Sequence, residues 1–313
     1  AYSCPGAAID GDDARLRGPS TMSTATHRPL IQQADLPEAL PDAPIKLRNG
    51  LSEHPLFAPE RIKELLRRLP AKHTEIRSVE TAGADAGGYA RGPRLDMDGV
   101  EAFEGLETRR TWMLLHETWK YDADYKQLLE DYLEDLGTRF PIIRRGIHDM
   151  GCWMFLSSGS SVVHFHADGD QSFLNNVRGG KTVYVYPTDI LPETVIENLV
   201  HKQDQGEVVY DPAYEAHMHE PVHLGPGESA FLPLYAPHRV TNYDSLCISW
   251  NVGFHTRDSR RRRNVHLVNR DLRSMGLSPS AYGEATWRDA VKARMHLPIR
   301  VKNKVLRTLR LKA

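Results

Sequence analysis

Between Cys152 and Phe254 the sequence breaks into short β-type runs divided by turn residues: Cys152–Leu156, Ser161–His166, Ser172–Val177, Lys181–Tyr186, Ala230–Leu234 and Ser245–Phe254. Gly179-Gly180 separates two of them at hairpin spacing, and Gly225-Pro226-Gly227 precedes a third. Such punctuation interrupts any helical period, and Gly-Gly between two runs predicts a two-residue hairpin. Many short strands with Gly and Pro turns close into a sandwich or barrel. The chain is therefore expected to be mainly β, with helices flanking the core. Its 313 residues allow one large core.

The flanks read differently. Residues 1–44 are rich in Ala, Pro, Asp, Ser and Thr and are expected to form a mobile arm. Residues 45–140 are expected to be a helical region packed on the core. Pro59 suits a first helical position, and Ile62, Leu65, Leu66 and Leu69 repeat at helical spacing before Pro70. A second helix is expected from Ala123 to Leu136, with Gly137 as its stop. Residues 141–256 hold the β core. Thr188–Val222 is long, polar and aperiodic, as a lid loop would be. Residues 257–313 read as a basic helical region.

Charge sharpens that last boundary. The total is −1, yet residues 257–313 carry sixteen Lys and Arg against four Asp and Glu. The body is acidic and the following region basic. Arg260 to Arg263 is the densest run, but no nucleic-acid motif accompanies it, so no nucleic-acid partner is expected. Three cysteines at no metal-like spacing argue against a disulfide framework and fit a reducing, cytoplasmic compartment. No run of 18 apolar residues occurs, and no membrane partner is expected.

One expected strand ends in His164-Phe165-His166-Ala167-Asp168. Residues two apart on a strand share a face, so His166 and Asp168 can aim at one point. Imidazole plus carboxylate suits a divalent metal of intermediate hardness, and His238, from a distant run, completes a two-histidine, one-carboxylate set with open positions. His164 leaves an alternative open: a His164, His166, His238 set in a cupin metalloenzyme of another kind. Lys181 lies 13 residues beyond Asp168 and could reach a carboxylate of a metal-bound co-substrate. His217, His219 and His223 form a further His-rich patch in an acidic loop that would suit a cationic substrate.

The stretches HFHADGDQSFLNNVRGGKTVYVYP, LGPGESAFLPLYAPHRVTN and SLCISWNVGF resemble the cupin-like Jumonji-C oxygenases, including the asparaginyl hydroxylase of hypoxia-inducible factor. The resemblance covers about a third of the chain, Val163 to Phe254. It implies a double-stranded β-helix (jelly-roll) core and an enzyme using Fe(II), 2-oxoglutarate and O2 to hydroxylate an amino-acid side chain, in a peptide or protein or a small metabolite. It implies His166, Asp168 and His238 as catalytic iron ligands and Lys181 on the distal carboxylate of 2-oxoglutarate. Asn251 matches an asparagine near the co-substrate, and Phe173 and Leu174 match a hydrophobic pair. Ser172 stands where the asparaginyl hydroxylase has asparagine, and Val163 where it has threonine. Those two departures leave room for a non-catalytic binding or regulatory module. Relatives that dimerise through C-terminal helices imply a homodimer.

Overall fold

The computed structural model describes residues 29–32, 39–79, 92–144, 146–202 and 208–295. Strand β1 (Ile45–Arg48) opens the fold, followed by helix α1 (Pro59–Arg68) and β2 (Thr74–Ser78). Helix α2 (Gly99–Glu104), β3 (Thr111–His116) and the short α3 (Thr118–Tyr121) lead to α4 (Ala123–Arg139) and α5 (Pro141–Arg144). Four strands follow: β4 (His148–Ser157), β5 (Val162–His166), β6 (Gln171–Arg178) and β7 (Lys181–Val185). Helix α6 (Glu193–Lys202) precedes β8 (Val222–Leu224), β9 (Glu228–Leu232), β10 (His238–Asn242) and β11 (Cys247–His255). Helix α7 (Arg257–Ser274) follows.

From β4 to β11 the chain crosses repeatedly between two sheets. The larger has the order β1-β9-β6-β11-β4-β3-β2 and the smaller β5-β10-β7-β8, all pairs antiparallel. The two four-strand blocks β9-β6-β11-β4 and β5-β10-β7-β8 face each other as the expected jelly roll. Alternation gives the large sheet two apolar faces. Phe173, Trp250, Val252 and Phe254 point outward beneath the helices, where Tyr132 of α4 meets Trp250 at a ring separation of 5.4 Å. Leu174, Ala230 and Leu232 point inward against Val183, Val185, Leu224 and Val240 of the small sheet. That inner space is the barrel interior.

Helices α1 and α4 form where their periodicity predicts, but Gly137 does not stop α4. It is buried inside a helix that runs to Arg139, before Pro141. Packing on the core outweighs the roughly 1 kcal/mol that glycine costs a helix. Gly179-Gly180 is not a hairpin turn either. It carries the chain from β6 in the large sheet to β7 in the small one. Gly179 has φ +75°, and a Cβ on Gly180 would overlap the Tyr243 ring. A sheet-to-sheet turn and a hairpin make the same demand for residues free of Cβ.

Residues 45–140 are not only helical. β1, β2 and β3 extend the large sheet at its two edges. The expected aperiodic loop from Thr188 to Val222 contains α6, whose Ile196, Leu199 and Val200 recur at helical spacing and are buried. Within the expected arm, residues 29–32 are packed. Leu30 and Ile31 are buried, and their backbone N–H groups donate to the Asp135 carboxylate. Residues 1–28 and 33–38 of that arm lie outside the described residues, as do 296–313 of the basic region.

The arginine run is absorbed within the chain. Arg260 and Arg263 approach Asp149 at 3.7 and 4.0 Å, Arg262 lies over the rings of Tyr235 and Tyr282, and Arg261 donates to the Thr286 carbonyl. Among the described residues no helix is long and apolar enough to cross a membrane.

Candidate metal centre

His166 ends β5, Asp168 lies two residues past it, and His238 begins β10 as the register partner of His166. Antiparallel pairing thus puts two histidines 72 positions apart side by side, their rings 4.2 Å between centroids. Three steps along β5 (163 to 166) span two along β10 (240 to 238), so β5 is bulged beside the site. A bulge of this kind re-aims a side chain at a strand end.

Each imidazole is oriented from behind. Nδ1 of His166 lies 2.7 Å from the His164 carbonyl and Nδ1 of His238 lies 3.0 Å from the Ala236 carbonyl. Each Nδ1 therefore carries the proton, and each Nε2 presents a lone pair. Both lone pairs face Asp168: His166 Nε2 is 3.9 Å from Oδ1 and His238 Nε2 is 3.7 Å from Oδ2. The three ligand atoms lie within 4.8 Å of one another, and all three residues are buried. Burial first, then the neighbouring His238, pushes the His166 pKa well down, which keeps the ring neutral. Burial pushes the Asp168 pKa up. Among the described residues, buried Asp168 Oδ1 has no hydrogen-bond partner. A buried carboxylate oxygen without a partner is costly unless a cation meets it. Two neutral nitrogens and one carboxylate, all on one side, fit a first-row divalent ion with open positions.

Among the described residues this is the one cluster with metal-holding geometry. His164 is outside it, its ring 5.5 Å from that of His166. His217, His219 and His223 do not assemble a second one. His223 Nδ1 meets Thr182 Oγ1 at 3.0 Å and the Tyr243 hydroxyl at 3.2 Å, and the His219 N–H donates to the Val185 carbonyl. Two acidic residues of the loop are also engaged within the chain. Glu215 accepts from the hydroxyls of Tyr186 and Tyr210 at 2.6 and 2.7 Å, and Asp211 caps the turn at Ala213. Asp204 and Glu207 lie outside the described residues.

Lys181 is 4% exposed and shares the inward parity of Val183 and Val185. No carboxylate pairs with it among the described residues. Burial lowers its pKa to about 8, with only the Cys247 thiol nearby to oppose the shift. Ser172 and Asn251 lie on the inner face of the large sheet, Ser172 opposite Gly253 and Asn251 between Leu174 and Trp153. Asn251 Oδ1 is buried and unpartnered, and so is Trp153 Nε1. Phe173 faces the helices, while Leu174 lines the interior.

Trp153 and Asp170 were not legible as candidates. A Cβ at Gly253 would overlap both the Asp170 carboxylate and the Trp153 ring, so the two meet over that glycine. Burial, then Asp168, raises the Asp170 pKa well above the carboxylate range. The pairing of Trp153 with Asn251 is a matter of β4–β11 register, which no local motif announces.

No family model matches the sequence, and neither does any curated protein. Among solved structures the chain is similar to YcfD of Escherichia coli, with 14% identity and a TM-score of 0.47 over 82% of this chain and 64% of that one. YcfD as a ribosomal oxygenase with cobalt and 2-oxoglutarate gives 15% identity and a TM-score of 0.43 over 83% and 63%. The DMSP lyase DddQ of Ruegeria pomeroyi DSS-3 gives 15% and 0.23 over 34% and 38%. The chain spans less than two thirds of the length of the YcfD structures.

Proposed function

We propose that this chain is an Fe(II)- and 2-oxoglutarate-dependent oxygenase that hydroxylates an amino-acid side chain, in a peptide or protein or in a small metabolite, with its catalytic unit in residues 141–256. One observation carries the reading: a buried lysine, unpaired among the described residues, shares a barrel interior with a buried two-histidine, one-carboxylate cluster. Register sets their separation. His238 pairs with Val185, four residues along β7 from Lys181, or about 13 Å at the usual strand rise. The four-carbon stem of the lysine covers about half of it. The remaining gap suits a short dicarboxylate, one end at the metal and the other at the ammonium.

The chain's own groups divide the work. His166, Asp168 and His238 would hold iron from one side and leave its other positions to co-substrate and oxygen. Bound iron with 2-oxoglutarate supplies O2 activation coupled to decarboxylation to succinate. Lys181 neutralises the distal carboxylate where water is scarce and the pairing is strong. Asn251 Oδ1 and Trp153 Nε1 offer an acceptor and a donor on the facing wall. Val183, Val185, Leu174 and Leu232 give the barrel interior an apolar lining that disfavours competing water.

The test is anaerobic reconstitution with Fe(II). Adding 2-oxoglutarate is expected to give a weak visible charge-transfer band, and admitting air is expected to give slow succinate formation. No band, and no succinate above a His238→Ala control, overturns the proposal. A screen for a one-oxygen mass gain then identifies the substrate.

A further inference from the structure

Residues 286–295 form a helix that is built inside out. Its buried side is polar: Asp289 is 3% exposed and accepts from the Gly283 N–H at 2.9 Å, and Lys292 is 7% exposed and donates to the Ser280 carbonyl at 2.8 Å. Its apolar residues point away. Trp287, Val291 and Met295, at i, i+4 and i+8, are 67%, 47% and 44% exposed. Successive steps of four keep these on one face. The polar anchors fix the helix in this sense, so the apolar stripe is presented outward by construction. Of the seven large apolar side chains exposed among the described residues, five fall between Met275 and Met295. That concentration marks an interaction surface.

Charge selects the occupant. Arg288 and Arg294 are exposed beside the stripe. From Thr286 to Ala313 the sequence has nine Lys and Arg and one Asp, interleaved with Leu297, Ile299, Val301, Val305, Leu306 and Leu309. Stacking two copies stripe to stripe would set Arg288 and Arg294 of one copy beside those of the other, which like charges oppose. Basic residues beside an apolar stripe bearing tryptophan match an interface of anionic headgroups over acyl chains. We infer that the 286–295 helix docks this chain on an anionic lipid surface, with Trp287, Val291 and Met295 entering the headgroup boundary. The helix lies in the plane of that surface and does not span it.

The test uses the full chain and extruded vesicles of phosphatidylcholine with or without phosphatidylglycerol, read by flotation. Binding is expected to the mixed vesicles and not to phosphatidylcholine alone, and to weaken as salt shortens the screening length to about 10 Å at 0.1 M. Trp287→Ser with Val291→Ser is expected to weaken it on the order of tenfold or more. Both side chains are exposed, so circular dichroism is expected to stay unchanged. Trp287→Phe is expected to keep binding and to lose the quenching of tryptophan emission by brominated lipid. No flotation with mixed vesicles overturns the inference. So does a dimer in light scattering that the double variant converts to monomer, or flotation that the double variant leaves intact.

Discussion

Lys181 sets stability against ligand binding. Among the described residues its buried ammonium has no counter-charge, and its pKa falls from 10.5 to about 8. Between those values the unfolded chain keeps a proton that the folded chain releases, so stability rises with pH from 8 to 10.5. Below pH 8 the full cost of the buried charge is present. Lys181→Met removes that cost and is expected to stabilise the metal-free protein by about 2–3 kcal/mol at pH 7, read by urea unfolding. The same change is expected to weaken 2-oxoglutarate binding on the order of hundredfold, because the distal carboxylate loses a desolvated partner. Calorimetry that finds unchanged affinity would remove the lysine from the site. In the unaltered chain the affinity is expected to fall as pH rises past 8. At the metal cluster, Asp168→Ala is expected to abolish retention of a divalent ion through dialysis, whereas His164→Ala retains it. Metal analysis that finds the reverse would favour the three-histidine set.

At the scale of elements, α6 is tied to α7 by charge. Glu193 lies 3.0 Å from His266 Nδ1, and Arg273 holds Glu197 at 3.1 Å. Burial raises the Glu193 pKa, but the contacts with His266, the Tyr282 N–H and the Asn269 amide together outweigh it and bring the value to about 2. The support from Glu193 is therefore present above pH 4.5 and is lost as pH falls toward 2. Glu193→Gln is expected to speed amide exchange across 193–200 at pH 7 and to remove the acid-induced loosening that the unaltered chain shows. Partial exposure limits the stability cost to about 1 kcal/mol. Neither this tie nor α6 itself was legible, because six of the ten residues of α6 are polar and its partners lie about 75 positions on. The two long helices were legible because a run of leucines at helical spacing depends on nothing distant. Six strands of the jelly roll were legible for the same reason. β10 was not: only alternate positions of His238-Arg239-Val240-Thr241-Asn242 are buried, and Arg239 faces out over the Tyr184 ring. The Gly179-Gly180 turn was legible as a turn, but the sheet that receives β7 depends on long-range pairing.

Across the whole molecule, the apolar layer between the two sheets shares the barrel interior with several unpaired polar groups. Among the described residues, Asp168 Oδ1, Asn251 Oδ1 and Trp153 Nε1 are buried without partners, and Lys181 is buried without a counter-ion. Three of these four residues were legible from motif spacing or resemblance. Trp153 required the register that sets it across from Asn251. Groups of this kind destabilise the empty barrel, so ligands that satisfy them must stabilise the whole chain by linkage. A divalent ion at a hundred times its dissociation constant is expected to add about 2.7 kcal/mol, visible as a rise in melting temperature that His238→Ala abolishes. The order of addition carries more information than the size of the shift. If a dicarboxylate bridges the metal and Lys181, 2-oxoglutarate raises the melting temperature only when metal is present, and a monocarboxylate of similar length does not reproduce it. Stabilisation by 2-oxoglutarate with metal chelated away would place the dicarboxylate on Lys181 alone, and the barrel would then be a carboxylate-binding module in which the metal cluster has a separate task.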